Sequence, residues 1–274
     1  FLNGQYWGHM NLRERVDRFF IAQFEGLSLD QADEMDILEA NGSVNFGSNK
    51  AYRAMLKKIK AGSPATNPDD LQYILDNVDV DNLFEYMALE MFVGNSDIGN
   101  IRYYRLHQEG SKWKWIWYDA DYGLYSSKFN SPWSYLKVKG MGEQKIDNTI
   151  FLKLLEHPDY KRKFLEKLAD VYKTFTTEYM TQVLDGVLAE IQPEMKNHWE
   201  RWGELNDKAV TSEVPTTIDG AYTYWESRVN RLYNTLKVRP HRLWDFIKDE
   251  FKLTKTEMEE LFGPQPDYPD DAVL

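Results

Sequence analysis

The sequence contains no cysteine, and this absence excludes several classes of protein. Disulfide frameworks, thiolate zinc sites, iron–sulfur clusters and cysteine nucleophiles all need thiol groups that the chain does not have. A chain without cysteine suits either side of a membrane, so the redox compartment stays open. Long apolar runs are also missing. The longest is far shorter than a membrane-spanning helix needs, and we expect no membrane insertion.

Basic charge is scarce relative to acidic charge. The 274 residues include 33 Lys and Arg against 44 Asp and Glu, which gives a formal net charge of −11 at pH 7. Proteins that bind nucleic acids neutralise phosphates with clustered Lys and Arg, so we expect no nucleic-acid partner. Binding of a nucleotide through a metal ion stays possible. Hydrophobic residues make up 42% of the chain, which excludes disorder of the whole.

The order of local signals indicates an α+β fold with a helical carboxy-terminal half. The Asn3-Gly4 dipeptide predicts a β-hairpin, followed by a strand over residues 6–12. Residues 23–49 are predicted as a polar loop with one short strand or helix at 32–38, and residues 126–148 as a long loop. Helical spacing, together with start and stop signals, predicts helices over residues 50–60, 149–155, 158–175, 177–191, 193–205, 221–237, 240–246 and 253–262.

The polar residues of greatest chemical interest flank a second predicted hairpin. A helix with one broad apolar face ends at Gly94, and a polar loop with Asp97 and Asn100 follows it. Two strands, 101–106 and 113–118, come next and are joined by a turn. Because a hairpin folds its ends together, the loops before and after it are expected to lie side by side.

The loop after this hairpin carries two more carboxylates, Asp119 and Asp121. Together with Asp97 and the Asn100 amide they are expected to converge at one end of the sheet. A group with this much negative charge needs a cation close to it, and a set of oxygen ligands favours Mg²⁺ as that cation. Phosphoryl transfer needs such an arrangement, since the metal neutralises the phosphate and one carboxylate orients the attacking hydroxyl.

Several separate blocks of the sequence resemble one known family. FLNGQYWGHMNLRER, YMALEMFVGNSDIGNIRYYRL and KWKWIWYDADYG are similar, in this order, to the CotH kinase family, named for spore coat protein H. The resemblance continues in FLKLLEHPDYKRKFLEKLADV, PEMKNHWERWG and WESRVNRL, so it covers nearly the whole chain. It implies a protein-kinase-like α+β fold with an incomplete N-terminal β lobe and a large, mostly helical C-terminal lobe.

The resemblance also implies roles for single residues. Asp97 matches the catalytic aspartate, which receives the substrate hydroxyl or orients it. Asp121 resembles the metal-binding aspartate of the kinase Asp-Phe-Gly motif, and Asp119 belongs to the same signature; which of the two holds the metal stays open. Asn100 matches the metal-binding asparagine less closely, because it follows Asp97 by three positions where protein kinases have five. Glu14 falls at the end of a predicted strand, where kinases place the hinge that contacts adenine.

The activity implied by the resemblance is that of an atypical protein kinase. ATP and Mg²⁺ are the implied cofactors, and the implied partner is a surface or coat protein with Ser or Thr residues. We expect a monomer that is secreted or placed at a cell or spore surface. A single kinase-like domain is predicted, with the remainder of the N-lobe and the hinge region over residues 1–62. The catalytic core with the hairpin and the long loop then covers 63–148, and the helical C-lobe covers 149–274.

Two departures from kinase sequences support a rival hypothesis. Neither a GxGxxG nor a GxxxxGK pattern occurs in the chain, and the loop from Asp97 to Asn100 is short. The family's phosphate loop and nucleotide-binding Lys are expected upstream of Phe1. A pseudokinase-like surface binding or structural module is therefore the alternative. A carbohydrate-active enzyme, which would need two carboxylates flanking a sugar-sized groove, ranks last.

Each assigned residue also has an ordinary structural interpretation. Asp97 would merely cap a turn, as Asp commonly does in loops. Asp119 and Asp121 would mark a solvated strand end. Glu14 lies between two arginines, where a surface ion pair is the simpler expectation.

Overall fold

A small antiparallel sheet and a set of helices make up the computed structural model, which describes residues 1–137, 146–202 and 217–270. The sheet has the order β2-β1-β3-β4 and all its pairs are antiparallel. Its strands are β1 (Met35–Glu39), β2 (Ser43–Phe46), β3 (Arg102–Leu106) and β4 (Lys114–Ile116). The fold class is α+β, as predicted.

Strand β1 is one of the two inner strands of the sheet, and both of its faces are covered. Met35 and Ile37 pack with a cluster that includes Ile21 of a short helix, and all three are at most 1% exposed. On the other face Tyr103 packs against aromatic rings, with its ring centroid 4.7 Å from that of Tyr52. The first four residues of β1 are buried, and they include Asp36, whose carboxylate lies 3.1 Å from a ring nitrogen of His107.

The remaining described elements are helical. They are a short 3₁₀ helix (Leu29–Gln31) and the α-helices α1 (Arg18–Phe24), α2 (Lys50–Ala61), α3 (Pro68–Asn77), α4 (Val80–Val93), α5 (Ser131–Tyr135), α6 (Thr149–Leu155), α7 (Pro158–Thr174), α8 (Thr177–Trp202), α9 (Ile218–Phe251) and α10 (Lys255–Phe262). Among these described helices, none is both long enough and apolar enough to cross a bilayer.

Helix α4 is the central helix of the site region. The Asp79 side chain caps its first turn by accepting a hydrogen bond from the backbone N–H of Asn82 at 3.1 Å. Most of its residues are buried, which is typical of a helix enclosed on all sides. Phe84 contacts rings of α6 and α7 edge-on, with centroids 6.1 Å from Phe151 and 5.4 Å from Phe164.

The chain divides into two compact units. One contains Phe1–Arg13, Phe175–Val238 and Tyr268–Leu274, and the other contains Glu14–Thr174 and Arg239–Asp267. The sheet, α4 and all the predicted site residues belong to the second unit. The boundaries predicted for a single kinase-like domain stay a prediction.

The strand predicted over residues 6–12 is wrong. Only a short bridge between Leu2 and Gln5 forms around the Asn3-Gly4 turn. The backbone beyond it bonds to side chains of α8 instead of a strand partner: the Trp202 indole N–H donates to the Trp7 carbonyl at 2.8 Å, and the His9 N–H donates to a ring nitrogen of His198 at 3.0 Å. Glu14 therefore does not lie at the end of a strand.

Two pairs of predicted helices are single helices in the structure. Helix α8 contains Pro193, and α9 contains Pro240. Proline removes one backbone donor, so the carbonyl four residues before Pro240, that of Leu236, loses its usual partner. The Thr177 hydroxyl donates to this carbonyl at 3.1 Å, which explains how α9 continues through the proline. Residues 203–205, predicted as the end of a helix, lie outside the described residues.

Other predictions were incomplete. The region 23–49 forms β1 and β2 rather than one short element, and α1 before it was not predicted. The long loop predicted over 126–148 contains the short helix α5, while residues 138–145 lie outside the described residues. The predicted hairpin after α4 is confirmed as β3 and β4, with Arg102 paired to Ile116.

Candidate functional site

The loop that carries Asp97 begins at Gly94, where α4 ends. Gly94 has a φ of +64°, in the left-handed region that favours glycine, and its N–H donates to the Glu90 carbonyl at 3.0 Å. A Cβ added at this position would lie 2.4 Å from an Nη atom of Arg239. Glycine is therefore required here for two independent reasons.

Arg239 is a buried cation, 2% exposed, at the C-terminal end of α4. Its Nε donates to the Phe92 carbonyl at 2.6 Å, and one Nη donates to the Met91 carbonyl at 2.9 Å. The last carbonyls of a helix have no partners within the helix and carry partial negative charge, so a cation is stabilising there. Burial lowers the pKa of Arg239 to about 10, which leaves it charged at neutral pH.

The same guanidinium also holds the segment before α5. It donates to the Phe129 carbonyl at 3.2 Å and to the Ser131 hydroxyl at 2.8 Å. The Ser131 hydroxyl in turn donates to the Met91 carbonyl. One side chain thus joins the end of α4 to the chain that follows the Asp-Tyr-Gly triplet.

The backbone of Asp97 is held at both of its polar groups. Its N–H donates to the side chain of buried Asn95 at 3.1 Å, and its carbonyl accepts from the Asn100 N–H at 3.1 Å. The Asp97 side chain is half-buried. Within the described part of the chain, its carboxylate accepts no hydrogen bond and joins no ion pair, so it is available to a substrate.

A second carboxyl group, that of Glu90, is buried beneath this loop. Burial raises the pKa of Glu90, and the negative charge of Asp97 adds to the effect. A hydrogen bond from the Tyr135 hydroxyl at 2.6 Å partly offsets the increase. The same hydroxyl lies 3.3 Å from the Asn95 carbonyl, so α5 supports the loop from below.

The end of the hairpin brings Asn100 and Asp119 together. The Asn100 amide donates to Asp119 Oδ2 at 2.6 Å, and the Tyr118 hydroxyl donates to the Asn100 side-chain oxygen at 2.7 Å. Asp119 has a φ of +53°, which is uncommon for a non-glycine residue and is found at functional sites. Burial raises the pKa of Tyr118, opposed by Arg102, and the charges of the two site aspartates add to the increase.

Asp121 lies in a tight turn that is fixed against α4. The Gly123 N–H donates to the Ala120 carbonyl at 2.8 Å, and the Leu124 N–H donates to the Val93 carbonyl at 2.6 Å. A Cβ at Gly123 would lie 2.8 Å from the Ala120 carbonyl oxygen, so the turn has no room for a larger residue. Asp121 itself is exposed and, among the described residues, makes no hydrogen bond to Asp97, Asn100 or Asp119.

The predicted site is therefore assembled in part. Asn100 and Asp119 are in contact, and Asp97 lies in the adjoining loop. In the residues that the structure describes, no group of three or more acidic, His or Cys side chains is placed to hold a metal ion. Glu14 is exposed and, among the described residues, makes no hydrogen bond or ion pair with this group, and its neighbour Arg15 lies 3.7 Å from Asp17 instead.

Three supporting residues were missed by the sequence analysis. Tyr118 directly precedes Asp119, and Asn95 lies two residues before Asp97, where Asn side chains commonly bond to the backbone in turns, so both had a local signal. Arg239 had none, because its role depends on tertiary contacts.

Comparison with known families gives one match. A family model described as CotH kinase protein matches residues 1–243 of the 274. The matched range includes Glu14, Asp97, Asn100, Asp119 and Asp121. No curated protein and no solved structure matches the chain.

We expect Gly94→Ala to destabilise the protein by more than its backbone conformation alone would cost. A left-handed non-glycine residue costs about 1–2 kcal/mol, and the new Cβ also displaces the Arg239 guanidinium. Gly110→Ala is the matched control, because Gly110 has a φ of +74° and open space around it. Urea denaturation gives the unfolding free energy of both variants. Equal losses of unfolding free energy would show that the approach of Arg239 is unimportant.

We also expect Glu90→Gln to change how stability depends on pH. Because the folded-state pKa of Glu90 is raised above its ordinary value of 4.5, its contribution is full below that pH. The contribution is lost as pH rises through the folded pKa. The unfolding free energy of the wild type should therefore fall relative to Glu90→Gln as the pH rises above 4.5. Glu85→Gln, at an exposed position of α4, is the control. A difference that stays constant over this range would contradict the assignment.

Proposed function

Since the chain belongs to the CotH kinase protein family, we propose that it is an atypical protein kinase. The reaction is transfer of the ATP γ-phosphate to Ser or Thr residues of a surface or coat protein, with Mg²⁺. The observation that carries this proposal is the Asp97 carboxylate, which has no partner in the described chain although its backbone is fixed at both polar groups. A group prepared in this way can contact a substrate without reorganisation.

In this proposal Asp97 orients the substrate hydroxyl and receives its proton. The hydroxyl oxygen forms a bond to the γ-phosphorus, and the bond from that phosphorus to the bridging oxygen breaks. Its electron pair leaves with ADP, so atoms and charge balance. The half-buried position of Asp97 strengthens its interaction with the attacking group relative to bulk water.

Bound Mg²⁺ would neutralise charge on the transferred phosphate. The oxygens of Asp119, Asp121 and Asn100 are of the type this ion takes. The Asn100 amide engages Oδ2 of Asp119, which leaves the other oxygen of that carboxylate for a metal. Asp121 follows Asp119 by two residues and is exposed. Its turn is bonded to α4, which fixes the position of its backbone.

The kinase-like fold with an incomplete N-terminal lobe is part of the same proposal. The hairpin between the Asp97 loop and the Asp-Tyr-Gly triplet supports it, because kinases place the equivalent groups in this order. Contact of Glu14 with adenine stays a prediction from the resemblance, as do the monomeric state and the secreted or surface location. The predicted strand that ended at Glu14 does not form, so the structure gives no support to a contact of Glu14 with adenine.

A pseudokinase-like surface module is the second candidate. Two observations favour it: no described cluster of three ligand side chains is placed for a metal, and the chain has no phosphate-loop pattern. This candidate keeps the fold and the positions of Asp97 and Asp121 but has no phosphoryl transfer. Binding of Mg²⁺–ATP separates the two.

Two substitutions in the protein at its natural full length test the kinase proposal. We expect Asp97→Asn to reduce phosphoryl transfer by about 100-fold or more while the rise in melting temperature with Mg²⁺–ATP persists. Asp121→Asn should reduce both, because a metal ligand supports binding as well as chemistry. Asp170→Asn, an exposed carboxylate on α7, is the control for loss of one charge. Unchanged transfer in both site variants would contradict the proposal, and no melting shift in the wild type would favour the second candidate.

A further inference from the structure

Helix α2 concentrates basic charge in an acidic chain. Residues 40–68 contain five basic side chains and no acidic one, although Asp and Glu outnumber Lys and Arg by 44 to 33 in the whole chain. No other stretch of the sequence without an acidic residue is as long. All five basic side chains lie within α2, at Lys50, Arg53, Lys57, Lys58 and Lys60.

Four of these side chains form one row along the helix, which we call the basic stripe. Lys50, Arg53, Lys57 and Lys60 follow one another at intervals of three or four residues, and this spacing places them on one face. All four are exposed. At about 1.5 Å per residue, the basic stripe is about 15 Å long.

Three members of the basic stripe have no ionic partner in the described part of the chain. Lys60 pairs with the carboxylate of Asp147. Within the same described residues, the side chains of Lys50, Arg53 and Lys57 take part in no ion pair and no hydrogen bond. Their charges are therefore available to an anionic partner.

The basic stripe is unfavourable for the isolated helix. Like charges three or four residues apart repel each other, and a cation in the first turn faces the positive end of the helix dipole. Lys50 is the first residue of α2, and the first turn contains no acidic residue. Departures from local rules are expected at functional sites, where another interaction compensates for them. A negatively charged partner would supply that compensation.

The basic stripe adjoins an open groove that reaches the loop of Asp97. Lys60, its last member, lines this groove together with Leu56 of α2, Trp115 of β4 and Ile98, which follows Asp97. All of these residues belong to the second compact unit. A chain that lies along the basic stripe therefore has apolar contacts beside it, next to the candidate site.

The charge of the rest of the chain restricts the type of anionic partner. The net charge is −11, so a long polyanion such as a nucleic acid, or an anionic membrane, would extend beyond the basic stripe over acidic surface. An extended peptide advances about 3.3 Å per residue, so a segment of about five residues matches the basic stripe in length. A short acidic segment fits both the charge and the size of this surface.

We propose that the basic stripe of α2 is a docking surface for a short acidic segment of a partner protein. The acidic side chains of the segment pair with Lys50, Arg53 and Lys57, and its apolar side chains enter the groove. The proposal does not depend on kinase activity, because docking needs neither ATP nor phosphoryl transfer.

Binding of a synthetic peptide to the purified chain without ATP, followed by fluorescence anisotropy, tests the proposal. The probe has about eight residues in which Glu and Ser alternate, with an uncharged dye, and a second peptide has Gln in place of every Glu. We expect saturable binding of the Glu peptide with a Kd below about 1 mM at about 0.1 M salt, and at least about tenfold weaker binding of the Gln peptide. Binding of the Glu peptide should be lost at about 1 M salt, where the Debye length is about 3 Å.

Two paired substitutions separate the basic stripe from general surface charge. Lys50→Gln with Lys57→Gln should weaken binding of the Glu peptide about fivefold, because two charge pairs at the surface are removed. This variant should melt at the wild-type temperature or higher, since repulsion along the helix is reduced. Lys173→Gln with Lys252→Gln, at exposed positions outside α2, is the matched control and should bind as the wild type does. If the first variant does not fold, Arg53→Gln alone gives the same comparison.

Three results would overturn the proposal. The first is the absence of saturable binding of the Glu peptide up to about 1 mM. The second is equal binding by a folded variant of the basic stripe. The third is binding of single-stranded DNA with the same number of charges, or of phosphatidylserine vesicles, as tight as that of the Glu peptide, because the surface would then not select an acidic peptide.

Discussion

The buried guanidinium of Arg239 is the contact on which the rest of the site depends. It donates to the Met91 and Phe92 carbonyls at the end of α4 and to the Phe129 carbonyl beyond the Asp-Tyr-Gly triplet. None of these acceptors is a carboxylate, so its charge is compensated by carbonyl oxygens at the negative end of a helix and by the Ser131 hydroxyl. Burying a charge costs free energy unless its hydrogen-bond donors find acceptors. The guanidinium of Arg239 therefore requires these oxygens to stay in place, which restricts the surrounding chain.

That constraint reaches the chemistry through short connections. The left-handed backbone of Gly94 and the approach of Arg239 both favour glycine there, and the loop that leaves Gly94 places Asn95 where its side chain holds Asp97. On the other side, the turn with Asp121 bonds to the Val93 carbonyl, in the same last turn of α4. The two loops that flank the hairpin are therefore both attached to the C-terminal end of α4. This shared attachment explains how two loops that are separated by a hairpin are both held at the end of α4.

The parts of the structure that local patterns determine were predictable. The Asp79 cap, Gly94 and the two strands after it specify a helix, a loop and a hairpin from sequence alone, and the meeting of Asn100 with Asp119 follows from that hairpin. The prolines of α8 and α9 led to the wrong prediction that each helix is broken in two. In α9 the helix continues because the Thr177 hydroxyl, from another helix, donates to the carbonyl that Pro240 leaves without a partner. The strand predicted after Gln5 also failed, since side chains of α8 take up the backbone groups that a strand would pair. Tertiary contacts decided these cases, and no local pattern contains them.

The central claim is that Arg239 fixes the loop of Asp97 and the turn of Asp121. Hydrogen exchange in Arg239→Lys tests it most directly, because lysine keeps the charge but lacks the planar set of donors that reaches several carbonyls. The account predicts faster exchange of the amides at residues 95–100 and 121–124, with amides of β1 and β3 unchanged. Unchanged exchange in both loops of a folded Arg239→Lys variant would contradict it.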